Sequence, residues 1–200
     1  VDLEVSRGTI LAIIGASGAG KSTLLNILGT LDHADSGTVE ISGRRVDHLN
    51  GRELARVRAT RLGFVFQFHH LLPEFTAEEN VMMPLLIAGA DSTSARRRAR
   101  EALQAVGLAE RWLHRPAELS GGEAQRVAVA RALAPAPELV LADEPSGNLD
   151  QHSAGGLHDL LANLAREQGQ TFVVVTHNDR LAARADRVML LEAGRLRAST

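Results

Sequence analysis

A chain of 200 residues that is 44% hydrophobic and 23% charged has enough apolar material for the core of one soluble globular domain. Its formal net charge of −2, five Phe, one Trp and no Tyr give neither the basic footprint nor the stacking surface of a nucleic-acid binder, so nucleic acid is not an expected partner. Cysteine is absent, which excludes a disulfide framework and thiolate chemistry.

Residues 1–5 and 9–14 (TILAII) are expected to be two strands around Arg7 and Gly8. The chain opens at Val1 without a methionine and almost inside a strand, so further N-terminal residues are expected. Residues 15–23 (GASGAGKST) fit the phosphate-cradling pattern G-x-x-x-x-G-K-[S/T] through Gly15, Gly20, Lys21 and Ser22, and Leu24, Leu25, Ile27 and Leu28 continue as a helix. In a strand, glycine loop and helix the loop amides and the helix N-terminus converge on one polyphosphate. Lys21 is also the only lysine; every other basic residue is Arg. A compact ammonium suits a tight phosphate loop where a planar guanidinium does not.

Residues 38–41 and 44–46 predict a short hairpin around Gly43, and Leu54, Val57 and Arg61 a short helix. Residues 62–66 (LGFVF) predict a buried strand ending at Gln67. Thr76 and Glu79 form a capping box for a helix over 81–88, and Ser94 is expected to open the next. The longest apolar run, 81–90, is about half of the ~20 residues that a spanning helix needs, and contains Pro84. Arg96, Arg97, Arg98 and Arg100 are read as a solvated helix face rather than an anion-binding patch. Ser120 and Glu123 form a second capping box, and residues 138–142 (ELVLA) a buried strand leading into Asp143 and Glu144. A long amphipathic helix ends at Gly169, residues 171–176 (TFVVVT) form another strand ending at His177, and residues 187–191 and a turn at Gly194 follow.

Apolar strands alternating with helices predict a mostly parallel sheet covered on both faces, whose ligand lies beyond the carboxyl ends of the strands. The loop after residue 14, Gln67, Asp143 with Glu144, and His177 all fall at those ends. Asp143 with the Ser22 hydroxyl suits Mg²⁺, and Glu144 could orient or deprotonate an attacking water. His177 has two readings, since residues 176–179 could also cap the short helix that follows.

The order GASGAGKST, Gln67, LSGGE (119–123), LVLADE (139–144), GNLD (147–150) and His177 resembles the ATP-binding cassette ATPases, the motor subunits of ABC transporters, over essentially the whole chain. The resemblance implies a P-loop NTPase (RecA-like) α/β fold with an antiparallel β edge. It also implies one domain over 1–200, with its core at 1–75 and 135–200 and an inserted helical subdomain at 76–134. It implies an ATP hydrolase using ATP and Mg²⁺. Gly15, Ala16, Ser17, Gly18, Ala19, Gly20, Lys21, Ser22, Thr23 and Gln67 then bind ATP, while Ser22, Gln67 and Asp143 surround the metal. Glu144 is the base, with His177 and Lys21 acting on the γ-phosphate. Ser120, Gly121, Gly122, Glu123 and Asp150 would meet the ATP of a second copy, in a head-to-tail dimer around two nucleotides.

Residues 64–89 resemble the branch that serves lipoprotein release at the Gram-negative inner membrane. That implies a peripheral subunit on the cytoplasmic face, bound to integral membrane subunits, with His69, His70, Leu71 and Leu72 as contact candidates. Macrolide-export and cell-division ATPases are the neighbouring alternatives, and a nucleotide-gated scaffold or a soluble ABC ATPase stands further off. A small-molecule P-loop kinase would have no use for LSGGE. Two departures from the family pattern are Ala124, where a polar residue is common, and Ser146, where Thr is usual. The adenine-stacking aromatic of the family lies upstream of Val1.

Overall fold

The computed structural model describes residues 1–199. In chain order its elements are β1 (Ile10–Ile14), α1 (Lys21–Leu28), β2 (Glu40–Ile41), β3 (Arg44–Arg45), α2 (Gly51–Arg61), β4 (Leu62–Val65), α3 (Ala77–Ile87) and α4 (Ser92–Ala105). Then follow α5 (Gly121–Leu133), β5 (Leu139–Asp143), α6 (Gln151–Gln168), β6 (Phe172–Val175), α7 (Asp179–Ala182), β7 (Arg187–Glu192) and β8 (Arg195–Ala198). Six strands form one sheet in the order β4-β5-β6-β1-β7-β8, parallel except for β8, which returns antiparallel along the β7 edge. β2 and β3 make a separate two-stranded hairpin.

The continuous apolar runs follow from burial on both faces. Within each central strand, neighbours point to opposite sides of the sheet. Ile10, Val140, Ala142, Phe172 and Val174 face a large core shared with α3, α4, α5 and α6, whereas Leu11, Ile13, Leu141, Val173 and Val175 face a smaller one completed by Leu25 of α1. A third cluster, Ile41, Val46, Leu54, Val57 and Leu62, sits under the β2–β3 hairpin and α2. At Gly63, β4 runs so close to α5 that an added Cβ would lie 2.6 Å from the Ala132 carbonyl oxygen.

The sequence expectations need several corrections. Residues 1–5 are not a strand, and β1, with β6 on one side and β7 on the other, has no free side for a preceding strand to pair with. Leu3 and Val5 pack against the smaller core instead. The fourth helix is opened by Asp91, whose carboxylate accepts from Thr93 and Ser94 N–H, not by Ser94. Beyond Gly194 the chain forms β8, where only a turn is expected.

The arginine run is a solvated face that also makes specific contacts. Arg100 and Arg96 both pair with Glu78, which is 5% exposed, Arg98 donates to the Ala134 carbonyl, and Arg100 lies 4.1 Å above the Trp112 ring. Arg96, Arg97 and Arg100 are nonetheless exposed, as expected, with Arg97 paired to Glu101; Arg98 alone is half-buried.

Candidate active site

β1 delivers the chain to Gly15, which touches the Leu191 carbonyl of β7 so closely that no side chain fits there. Gly18 and Gly20 take left-handed conformations (φ 78° and 95°) that L side chains rarely adopt. Gly20 is also the N-cap of α1 and supplies no side-chain acceptor, so the first amides of that helix stay free for an anion. The loop is further tied by Ala19 N–H donating to the Ala16 carbonyl at 3.2 Å. Lys21 Nζ bends back over the loop and donates to the Gly15 and Ala16 carbonyls at 2.8 and 3.0 Å. The resulting cleft, about 330 Å³, is lined by Ser17, Gly18, Gly20, Lys21, Ser22 and Thr23, with Asp143 and Glu144 opposite.

Asp143 is the last residue of β5 and pairs with Val175 of β6. Glu144 follows with φ 46°, a left-handed backbone unusual for a non-glycine residue, held by its N–H donating to the Val175 carbonyl at 2.9 Å. Its carboxylate is fixed at both oxygens: His177 Nδ1–H donates to Oε1 at 2.7 Å and the Thr176 hydroxyl to Oε2 at 3.1 Å. Asn178 caps α7, accepting from Arg180 and Leu181 N–H. Capping therefore does not occupy His177, whose ring is mostly exposed apart from its bond to Glu144.

The remaining predicted residues form a second group. Gln67 is turned away from the cleft; its side chain donates to Asn148 Oδ1 at 2.9 Å, and Asn148 donates back to the Gln67 carbonyl at 3.2 Å. Ser120 caps α5, accepting from Glu123 N–H at 3.2 Å and donating its hydroxyl to Glu123 Oε2 at 2.8 Å. The Ser120 amide also donates to Glu123 Oε2 at 2.9 Å, and that bond, the hydroxyl bond and one from Arg111 hold the Glu123 carboxyl down at about 2. Asp150 caps α6 through His152 and Ser153 N–H, and bonding to Ser153 is the largest cause of its lowered pKa. A Cβ at Gly122 would lie 3.0 Å from Ser153 Cβ and one at Gly147 3.0 Å from Gln67 Nε2. The LSGGE helix start, the GNLD turn and Gln67 are thus packed together, beside the cleft rather than in it.

Of the surface candidates after Gln67, Leu71 is buried and packs in the large core, while Phe68, 63% exposed, lies open together with Leu72. Sequence reasoning also missed two supports. Thr176 looks like the end of an apolar strand, yet its hydroxyl holds Glu144. His158, 1% exposed on α6, bonds through Nε2 to the Ser146 hydroxyl at 2.8 Å beneath the Glu144 turn. The available signal was a polar residue between Leu157 and Leu161, on the apolar side of a helix.

Ser22 and Asp143 bring oxygen donors to the same cleft. Among the described residues no group of three or more His, Cys, Asp or Glu could form a metal cage. A hard cation that takes one carboxylate and completes its shell with substrate phosphates and water, as Mg²⁺ does, fits that donor set. Among the described residues no helix is long and apolar enough to cross a membrane.

Comparison with known proteins supplies an independent line. The family model described as ABC transporter matches residues 1–147. Among curated relatives, the lipoprotein-releasing system ATP-binding protein LolD of Porphyromonas gingivalis is 54% identical over 196 residues, 98% of this chain and 90% of the relative. The protein of the same name from Geobacter metallireducens is 55% identical over 98% of this chain and 87% of its own. Among solved structures, the dimeric ATP-binding cassette MJ0796, in a post-hydrolysis state with ADP and Pi, superposes with a TM-score of 0.87. It is 41% identical, covering 99% of this chain and 88% of its own.

Proposed function

The chain belongs to the ABC transporter family as an ATP-hydrolysing cassette, and from that premise we propose that it is the motor subunit that drives release of lipoproteins from the inner membrane. Its place would be the cytoplasmic face, held there by integral membrane subunits. The name shared by relatives at 54–55% identity over nearly the full chain supports this branch over macrolide export, cell division or a scaffold.

In the cassette, Lys21 would exchange the Gly15 and Ala16 carbonyls for β- and γ-phosphate oxygens, and the free amides of the loop and α1 would take the remaining oxygens. Ser22 and Asp143 would hold the magnesium, which when bound neutralises charge on the phosphates. Gln67 would approach that metal only by releasing Asn148.

The observation that carries the hydrolytic reading is the Glu144 carboxylate, fixed at both oxygens at the edge of the phosphate cleft. One oxygen would take a proton from water while Thr176 and His177 hold the group in place. Ser120, Gly121, Gly122, Glu123 and Asp150 would serve the nucleotide of the facing copy. Ser120 would first turn its hydroxyl away from Glu123. We read residues 1–200 as one cassette whose helices between 76 and 134 form the part that meets the partner's nucleotide.

The test is a tagged pull-down of full-length Glu144→Gln protein from detergent-solubilised membranes with MgATP. That variant should bind ATP, form a stable dimer and lose turnover. Two related membrane subunits with large periplasmic domains support lipoprotein release; a single subunit or a division protein moves the reading to a neighbouring branch. Wild-type turnover in the variant removes Glu144 from the base role.

A further inference from the structure

Residues 66–72 leave β4 without entering any element, so their backbone groups need partners outside the sheet. Two come from one helix. Gln125 Nε2 donates to the Phe66 carbonyl at 2.8 Å, and the Arg131 guanidinium donates through both terminal nitrogens, to the His69 and His70 carbonyls, each at 2.7 Å. Asn80 closes the far end: it accepts from Leu72 N–H at 2.8 Å and donates to the Leu72 and Phe75 carbonyls.

Gln125 and Arg131 stand six residues apart on α5, about 9 Å along its axis. They staple the loop along the helix that begins at Ser120. Arg131 is half-buried, its acceptors are neutral carbonyls, and burial pushes its pKa down. Burial and the facing guanidinium also lower the pKa of His69, in keeping with a neutral ring whose Nδ1 accepts from Leu71 N–H at 3.2 Å. His70 is held at φ 47°, a left-handed backbone that the two flanking bonds fix. Between the staples, Phe68 faces outward.

We propose that Arg131 is a positioning residue that makes the loop at 67–72 follow α5, so that nucleotide captured at the N-terminus of that helix is reported at the surface around Phe68. The inference rests on the reading of the chain as a motor subunit. It assigns to one guanidinium the link between the LSGGE start and the partner-facing loop. A lysine offers a point charge, not two parallel donors, and would keep only part of the link.

The test compares wild type, Arg131→Lys and Arg131→Met, each as isolated full-length chain and as the purified complex with its membrane subunits. Isolated ATPase activity should match wild type in both variants. Stimulation by the membrane subunits should fall about fivefold or more in Arg131→Met and recover in part in Arg131→Lys. Unchanged stimulation in both variants overturns the proposal, as does a parallel fall of isolated and stimulated activity, the mark of a purely structural role. If wild type yields no membrane complex, the motor reading fails, and amide hydrogen exchange in the Glu144→Gln background then decides the link. MgATP should protect residues 68–72 when Arg131 is present and not in Arg131→Met, while residues 121–126 gain protection in both. Equal protection of 68–72 in both overturns it.

Discussion

Replacing Ser146 by Ala removes one hydroxyl that is 5% exposed, yet its cost falls on His158. The imidazole is 1% exposed, its Nδ1 has no partner among the described residues, and the Ser146 hydroxyl is its hydrogen bond through Nε2. Ser146→Ala would leave both ring nitrogens unsatisfied, at a cost of about 1–3 kcal/mol. For a domain of this size that lowers Tm by roughly 2–12 °C. His158→Leu removes the polar ring and leaves only the hydroxyl, and Ser146→Ala with His158→Leu leaves neither. The double variant should therefore be more stable than Ser146→Ala alone, a non-additivity that a double-mutant cycle measures.

The pH dependence gives a second readout. Burial first, then Arg184, with Arg180 adding to it and Asp159 opposing, holds the His158 pKa below 6.5. The unfolded chain thus takes up the proton more readily. The stabilising contribution is complete above pH 6.5 and is lost as pH falls through that value toward the folded pKa. Urea unfolding between about pH 7 and pH 5 should show a shallower loss of stability in His158→Leu than in wild type. Additive single and double variants, or identical pH slopes, would refute the reasoning.

Three further outcomes follow from the contacts above. Glu78→Gln strips the charge from a buried carboxylate that answers Arg96 and Arg100; urea unfolding should show a loss of about 1–3 kcal/mol, followed by the fluorescence of Trp112, the only tryptophan. Gly63→Ala forces a methyl to 2.6 Å from the Ala132 carbonyl and should lower stability by about 1–3 kcal/mol in thermal unfolding, with a neutral result contradicting the tight β4–α5 approach. Lys21→Ala should weaken ATP binding in calorimetry by about tenfold to a hundredfold, and unchanged affinity would remove the ammonium from the phosphate site.

The strands buried on both faces are legible because six-residue runs such as TFVVVT have few alternatives, and the glycine loop because its residue types are dictated by backbone geometry. Position in the sheet is not local information. Residues 1–5 have the composition of a strand, and the later arrival of β6 and β7 on either side of β1 denies them pairing with it. Charge has the same difficulty. Arg96 and Arg100 are solvated as their run predicts, but the sequence cannot say that both answer a Glu78 buried on another helix.

At the site, the sequence order places Lys21, Ser22, Asp143 and Glu144 at strand ends, and the fold brings them into one cleft. It cannot say that Gln67 bonds Asn148, or that Asn178 rather than His177 carries the α7 cap, since those choices turn on side-chain reach across the loops. Asp91 outcompetes Ser94 as a cap for a plainer reason. It stands one residue before the helix, where its carboxylate meets two free amides.

The place of β1 between β6 and β7 also sets an order of events during synthesis. Ile10 pairs with Phe172, and Leu11 with Val173 and Arg187, so the strand that carries the phosphate loop has no sheet neighbour until more than four-fifths of the described chain has been made. At about 5–20 residues per second the apolar β1 waits roughly 8–30 s for its first partner. During that time its hydrophobic residues are open to chaperones or to misassociation. A ribosome stalled before β6 would display a phosphate-loop sequence with no sheet to shape it. Nucleotide binding by nascent chains should therefore appear only after β7 has cleared the exit tunnel, late and in a single step.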